Sequence, residues 1–316
     1  MRKLMLALAL GAFATPALAA DITVAVTAIV EHPALDACRD GVKDALAAAG
    51  FVDGDNIDFI YESAQGAPEI AAQIARQFVG NNVSVIVPIS TPSAQGAVAA
   101  TRDIPIVFTA VTDPVAAQIV PRREQPGGNV TGISDMSPLA EHVSLILEIT
   151  PDVKRLGVVY NPGETNSVVL VDRLREVAAE AGIDVIESPA TKSGDVQQAT
   201  LALVGRVDAI YIPTDNTVVS ALEAAVSAAM ENSIPLYAGD TDSVPRGAIA
   251  TVGFNYYDIG IETGKVVARV LNGESPGDID VAFATGTDLV VNKGAAAKYG
   301  VTIPESVLAR ASQVIE

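Results

Sequence analysis

Ser90 and Thr91 close the apolar run Val83–Ile89 and are followed by Pro92, a residue suited to the first turn of a helix. Their hydroxyls, with the free N–H groups of a helix starting there, form a corner that can hold an anion such as a carboxylate. The same two residues could equally be plain N-caps. Thr109, Thr112 and Asp113 occupy the next strand end, with Pro114 behind them. Asp113 suits capping, whereas Thr109 or the backbone of Ala110, at the strand tip, suits contact with a ligand. Further along, Asp215 and Asn216 follow Val207–Ile212, and Asp240 follows Ile234–Ala238. A carboxylate opposite an anion corner gives a zwitterion its ammonium partner, and desolvation strengthens the pair. Asp240 is the expected ammonium ligand, while Asp215 and Asn216 also read as helix caps. The loop Asn161–Ser167 offers Asn161, Glu164, Asn166 and Ser167 to a ligand side chain or to contacts between lobes, with Glu31 and His32 facing it. Tyr160, Tyr211, Tyr237 and Phe254 could line an apolar pocket or fill a core.

These residues share one placement. Each lies where an apolar strand gives way to a polar loop and then a helix, which is where open α/β sheets bind ligands. Strand candidates Ile22–Ile29, Ile57–Glu62, Val83–Ile89 and Ile104–Thr109 alternate with helices such as Leu35–Ala49, whose Leu35, Cys38, Val42, Ala45, Leu46 and Ala49 recur at helical spacing. From Val153 the order restarts. Strands Leu156–Tyr160, Ile183–Glu187, Val207–Ile212 and Ile234–Ala238 alternate with helices Thr165–Ala181, Asp195–Val204 and Thr217–Asn232. Val83–Thr91 is echoed by Val207–Asp215, and the block from Ile104-Pro105 by that from Ile234-Pro235. The expected fold is α/β, with two similar doubly wound parallel-sheet lobes joined by a three-segment hinge. The N-terminal lobe takes residues 20–133 plus 254–278, and the C-terminal lobe 134–253 plus 279–316. The cleft between them should open and close about the three crossings.

Composition narrows the function. Met1–Ala19 has a basic start at Arg2 and Lys3, the apolar run Leu4–Phe13, and Ala17-Leu18-Ala19 before the break, so it reads as a cleaved secretory signal. No cysteine follows that run, which leaves no site for a lipid anchor, and the expected location is the periplasm. The net charge of −18 becomes −20 without Arg2 and Lys3, which argues against nucleic acid and anionic membrane as partners. One cysteine and two histidines give no disulfide and no metal-ligand cluster. No cofactor is expected. The chain has no Walker A loop, no G-x-G-x-x-G after its first strand and no G-x-S-x-G elbow, so it is read as a binding protein and not an enzyme.

The blocks Glu31–Asp36, Ser90–Gln95, Phe108–Pro114, Pro126–Gly132, Tyr160–Ser167 and Pro213–Asn216 together resemble the ABC-transporter substrate-binding proteins grouped with the tryptophan- and tyrosine-binding members. The resemblance covers essentially the whole mature chain. It implies the type I periplasmic binding fold, with a carboxylate site at the Ser90–Thr91 corner, and capture of an amino acid, aromatic or apolar first. It also implies a membrane permease and its ATPase as partners, with the receptor itself a monomer. Many relatives look like lipoproteins, and this chain departs from them in lacking the cysteine. The alternatives are another small ligand, such as a peptide, nucleoside or pyrimidine-like compound, or a sensory role. An enzyme on the same architecture is a weaker reading.

Overall fold

A computed structural model describes residues 22–316; the expected signal segment Met1–Ala19 lies outside the described residues. The first sheet contains β1 (Thr23–Ala28), β2 (Asp58–Ser63), β3 (Val85–Ile89), β4 (Ile106–Phe108), β5 (Val130–Ser134) and β11 (Ala282–Phe283). Its order is β11-β5-β4-β3-β1-β2, and all its pairings are parallel. The second sheet contains β6 (Arg155–Tyr160), β7 (Asp184–Pro189), β8 (Ala209–Ile212) and β9 (Leu236–Ala238), again all parallel, in the order β7-β6-β8-β9. A third, mixed sheet joins β10 (Ala250–Gly253), β12 (Asp288–Asn292) and β13 (Gln313–Ile315).

In chain order, β1 to β4 and β6 to β9 occupy the same positions, second-first-third-fourth. The repeat seen in the sequence is therefore a repeat of topology. Each lobe runs outward from its first strand and then returns to the other side, which leaves a switch point at the carboxyl ends of β1 and β3, and of β6 and β8. β3 and β8 are buried along their whole lengths, as parallel strands covered on both faces must be.

Helices cover these sheets: α1 (Pro33–Ala48), α2 (Pro68–Gly80), α3 (Thr91–Ala100), α4 (Leu139–Ile149), α5 (Thr165–Glu180), α6 (Val196–Leu201), α7 (Asn216–Ser220), α8 (Leu222–Glu231), α9 (Tyr256–Leu271), α10 (Lys293–Lys298) and α11 (Glu305–Leu308). The single helix expected over Thr217–Asn232 is two, α7 and α8, broken at Ala221. Ser220 Oγ donates to Thr217 O at 2.8 Å, so a side chain takes a carbonyl that a continuous helix would use. Helix α9 begins at Tyr256, where Asn255 caps the amides of Tyr257 and Asp258.

Two apolar cores follow the two lobes. The chain crosses between them after β5, again between β10 and α9, and a third time between β11 and β12. That third crossing corrects the expected boundary at residue 278. Ile279 and Val281 are buried in the first core, and Ala282–Phe283 pair with β5. Thr131 Oγ1 also donates to Ile279 O at 2.9 Å. The segment 279–284 thus stays with the first lobe, because backbone groups of β5 and Arg123 supply its hydrogen bonds.

α1 and α9 pack unusually closely. A methyl group at Gly260 would meet Cys38 O at 2.1 Å, and one at Gly41 would meet Tyr257 O at 2.2 Å. Only glycine permits this approach, which fixes the N-termini of α1 and α9 side by side at the cleft. Among the described residues, no helix is long and apolar enough to cross a membrane.

Candidate functional site

A cavity lies between the lobes. Its wall is built almost entirely from residues just beyond carboxyl ends of strands. From the first lobe come His32, Ala34 and Leu35 after β1, Ala110 and Thr112 after β4, and Asp135 after β5. The second lobe supplies Asn166 after β6, Thr214, Asp215, Asn216 and Val219 after β8, and Asp240 after β9. Tyr256, the first residue of α9, closes it at the second crossing. The described residues that line it include three carboxylates and no Lys or Arg.

Asp135 is 4% exposed and holds hydrogen bonds from Tyr256 OH at 2.7 Å and Thr112 Oγ1 at 3.3 Å. Burial raises its pKa, against the lowering effect of those two hydroxyls. Asp240 is 1% exposed, and its carboxylate caps the short turn Thr241–Ser243, accepting from Ser243 N at 2.8 Å and Ser243 Oγ at 2.6 Å. Burial raises its pKa too, while the bonds from Ser243 lower it. Both carboxylates therefore sit where a ligand cation would relieve the cost of desolvation.

The loop expected to reach the ligand is instead mostly occupied with itself. Glu164 accepts five hydrogen bonds: Asn216 N at 3.1 Å, Asn216 Nδ2 at 2.6 Å, Asn166 Nδ2 at 3.2 Å, Thr217 N at 3.0 Å and Thr217 Oγ1 at 2.6 Å. Asp215 accepts from Asn161 N, Ser167 Oγ and Val218 N at 2.6, 2.6 and 2.7 Å. Asn161 spends its side chain on Gly163 N and Thr217 Oγ1. Glu164, Asn161, Ser167 and Asp215 therefore hold the strand ends of β6 and β8 together and close the N-terminus of α7. Burial, and then the neighbouring Glu164 charge, push Asp215 well above the ordinary carboxylate range. Asn166 differs from the others, because its Oδ1 is buried without a partner at the cavity wall. So is Thr214 Oγ1.

On the first lobe, Thr109 is a correction. Its Oγ1 lies 3.1 Å from Cys38 Sγ and accepts from Thr263 Oγ1 at 2.8 Å, fully buried in the core. Strand alternation sends Thr109 inward and leaves Ala110, with φ of 52°, at the cavity. Ser90 and Thr91 are not among the lining residues. Ser90 has φ of 79° and makes no side-chain cap, and both hydroxyls are buried without partners. The left-handed backbone at Ser90 and Ala110 is strain at the tips of adjacent strands, of the kind that concentrates at binding sites.

The four aromatic candidates do not line the cavity. Tyr211 donates to His142 Nδ1 at 2.7 Å, because His142 Nε2–H is committed to Val252 O at 2.6 Å. Tyr237 OH lies 3.2 Å from Thr150 Oγ1, Tyr160 donates to Glu187, and Phe254 packs on the first core. Sequence reasoning missed Asp135 and Tyr256 as wall residues. Asp135 obeys the same strand-end rule that found Asp240, but the segment was read only as a crossing. Tyr256 has no local signal. Among the described residues, no cluster of His, Cys, Asp or Glu could hold a metal ion.

Residues 23–315 match the family model described as ABC transporter substrate binding protein. The chain is 41% identical over 270 residues to a tyrosine-binding protein of Clostridioides difficile, covering 85% of this chain and 78% of that one. It is 36% identical to a Streptococcus pneumoniae ABC domain solved in complex with L-Trp, covering 94% of this chain and 100% of that one with a TM-score of 0.91. A ligand-free, open substrate-binding protein from Clostridium difficile is 42% identical, with coverage of 93% and 99%, yet its TM-score is only 0.70. The more similar sequence superposes less well, and the structure here superposes better on the ligand-bound relative. With its double-wound lobes, its inter-lobe cavity and a match spanning nearly its whole described length, this chain belongs to the ABC transporter substrate-binding protein family.

Proposed function

We propose that the protein is an exported receptor that captures an amino acid, aromatic or apolar side chain first, between its lobes and delivers it to a membrane permease driven by an ATPase. The observation that carries this reading is the charge of the cavity wall: Asp135 and Asp240 reach it from both sides of the cleft, and no lining side chain is cationic. An ammonium is the ligand group that such a wall selects. Leu35, Val219, Ala34 and the Tyr256 ring give an apolar surface for the side chain, and Asn166, Thr214, Asn216 and the Ala110 backbone give polar contacts. The relatives named for tyrosine and solved with L-Trp support the same class.

The role is binding without catalysis. His32 and His142 are held neutral, lowered to about 3 and about 4 by burial, with Arg246 adding to the effect on His32. The test is calorimetry of the mature protein with L-tyrosine, L-tryptophan, aliphatic amino acids, short peptides, nucleosides and pyrimidines. Tight binding of an aromatic amino acid is expected, with large weakening for 3-(4-hydroxyphenyl)propionate and indole-3-propionate, which lack the ammonium. Equal binding of parent and deaminated analogue would overturn the assigned polarity, and selective binding of a nucleoside would move that class ahead.

A further inference from the structure

We propose that the carboxylate of the bound amino acid sits at the N-terminus of α1, held by the N–H groups of Ala34 and Leu35 and by Nδ1–H of His32. The inference rests on the amino-acid reading of the cavity and adds the residue that reads the acid group.

Helix α1 is 16 residues long and opens with Pro33, and no side chain caps it. Its first internal bond runs from Asp36 N to His32 O, so the amides of Ala34 and Leu35 precede the ladder and have no acceptor within the helix. Ala34 and Leu35 both line the cavity. An oxyanion there would meet two aligned donors and the positive end of a long helix.

An independent observation comes from His32. It is nine-tenths buried, lines the same cavity, and its Nδ1 has no hydrogen-bond partner. A buried polar atom left unpaired costs free energy that a ligand oxygen would recover. Burial and the Arg246 guanidinium keep the free imidazole neutral. A neutral ring still has one N–H to give.

The other helix starts at the cavity are less suited to an anion. The amides of α7 are taken by Asp215 and Glu164, and those of α9 by Asn255. At the start of α5, the side chains of Asn166 and Ser167 already donate to Glu164 and Asp215. The start of α3 has unpaired hydroxyls at Ser90, Thr91 and Ser93, but none of these three lines the cavity.

The test is calorimetry of the mature protein with L-tryptophan and L-tyrosine, and with tryptamine and tyramine, which keep the ammonium and lack the carboxylate. His32→Ala should weaken the amino acids about 10- to 100-fold while changing the amines less than about twofold. His32→Asn, which keeps a side-chain N–H, should restore part of that loss, and melting curves will show that both variants fold. Equal weakening of acids and amines would make His32 a packing contact and overturn the inference. So would an unchanged affinity in His32→Ala with the loss appearing in Ser90→Ala/Thr91→Val instead. If the parent protein binds neither amino acid, the amino-acid reading itself falls and takes this inference with it.

Discussion

At the residue level, Asp135 and Asp240 should dominate affinity, because each would face the ligand ammonium from a buried position. Asp240→Ala should lower amino-acid affinity by about two to four decades, the cost of leaving a buried charge without its partner, roughly 3–5 kcal/mol. Asp135→Asn, which keeps the shape and can still accept from Tyr256, should lower affinity with little effect on melting; undiminished affinity in both variants would remove the ammonium site from this wall. Asp215 has a different consequence. It keeps a proton in the folded protein that the unfolded chain releases near pH ~4, so its stabilisation is complete below that pH and declines as the pH rises through its elevated folded value. His32 and His142 act in the opposite sense, adding stability as the pH rises from about 3 and about 4 towards the unfolded histidine value of roughly 6.5. Above about pH 6.5 the histidine gain is complete and the decline from the raised carboxylates continues, joined at alkaline pH by the raised Cys38 and buried tyrosines such as Tyr211 and Tyr256. Melting temperatures of the parent should therefore fall from there towards alkaline pH, and the slope should be shallower in Asp215→Asn. Asp240 was legible as a strand-end acid, whereas Glu164 and Asp215 look identical to ligand contacts until their partners are known.

Among the elements, the crossing of α1 and α9 positions two cavity residues, His32 just ahead of α1 and Tyr256 at the first position of α9. Gly260→Ala would drive a methyl group into Cys38 O and push the helices apart, at a cost of about 1–3 kcal/mol or more. A fall of several degrees in melting temperature is expected, together with weaker ligand binding, while Gly194→Ala, where nothing lies within 4 Å, should be close to neutral. Equal effects at the two positions would show that the close approach does not matter. The helical face of α1 was readable from Leu35, Cys38, Val42 and Leu46. Its glycine contact with α9 was not, because Gly260 lies more than 200 positions along the chain and spacing within one helix says nothing about its partner.

For the molecule as a whole, Gln95 Nε2 reaches across the cleft to Thr165 Oγ1 at 3.4 Å. Small-angle scattering should show a more extended particle without ligand and a compact one with saturating amino acid. Gln95→Ala should shift the balance towards the open form only slightly, by about 1 kcal/mol or less. Identical profiles with and without ligand would argue against a closing cleft. Export is tested separately: mass spectrometry of the periplasmic fraction should find a mature N-terminus at Ala20 or Asp21 with no lipid attached. Unprocessed chain recovered from the cytoplasm would contradict the secretory reading of Met1–Ala19.

By itself the sequence determined the two α/β lobes and the strand–helix alternation repeated in them, and it pointed to strand ends as the place for a site, because strand burial and helix periodicity are local properties that repeat every two or 3.6 residues. It also determined the acidic character of the chain, which depends only on which side chains are present. Tertiary structure decided which strand-end residues face the cavity. Thr109 turns into a core shared with Cys38 and Thr263, Glu164 is consumed by five donors, and Asp135 and Tyr256 meet at the cavity from 121 positions apart. It also carried the last crossing beyond Phe283, since only pairing with β5 shows to which lobe that segment belongs. A polar residue at a strand tip is free for a ligand only when no neighbour in space has already claimed its hydrogen bonds, and those neighbours come from distant parts of the chain.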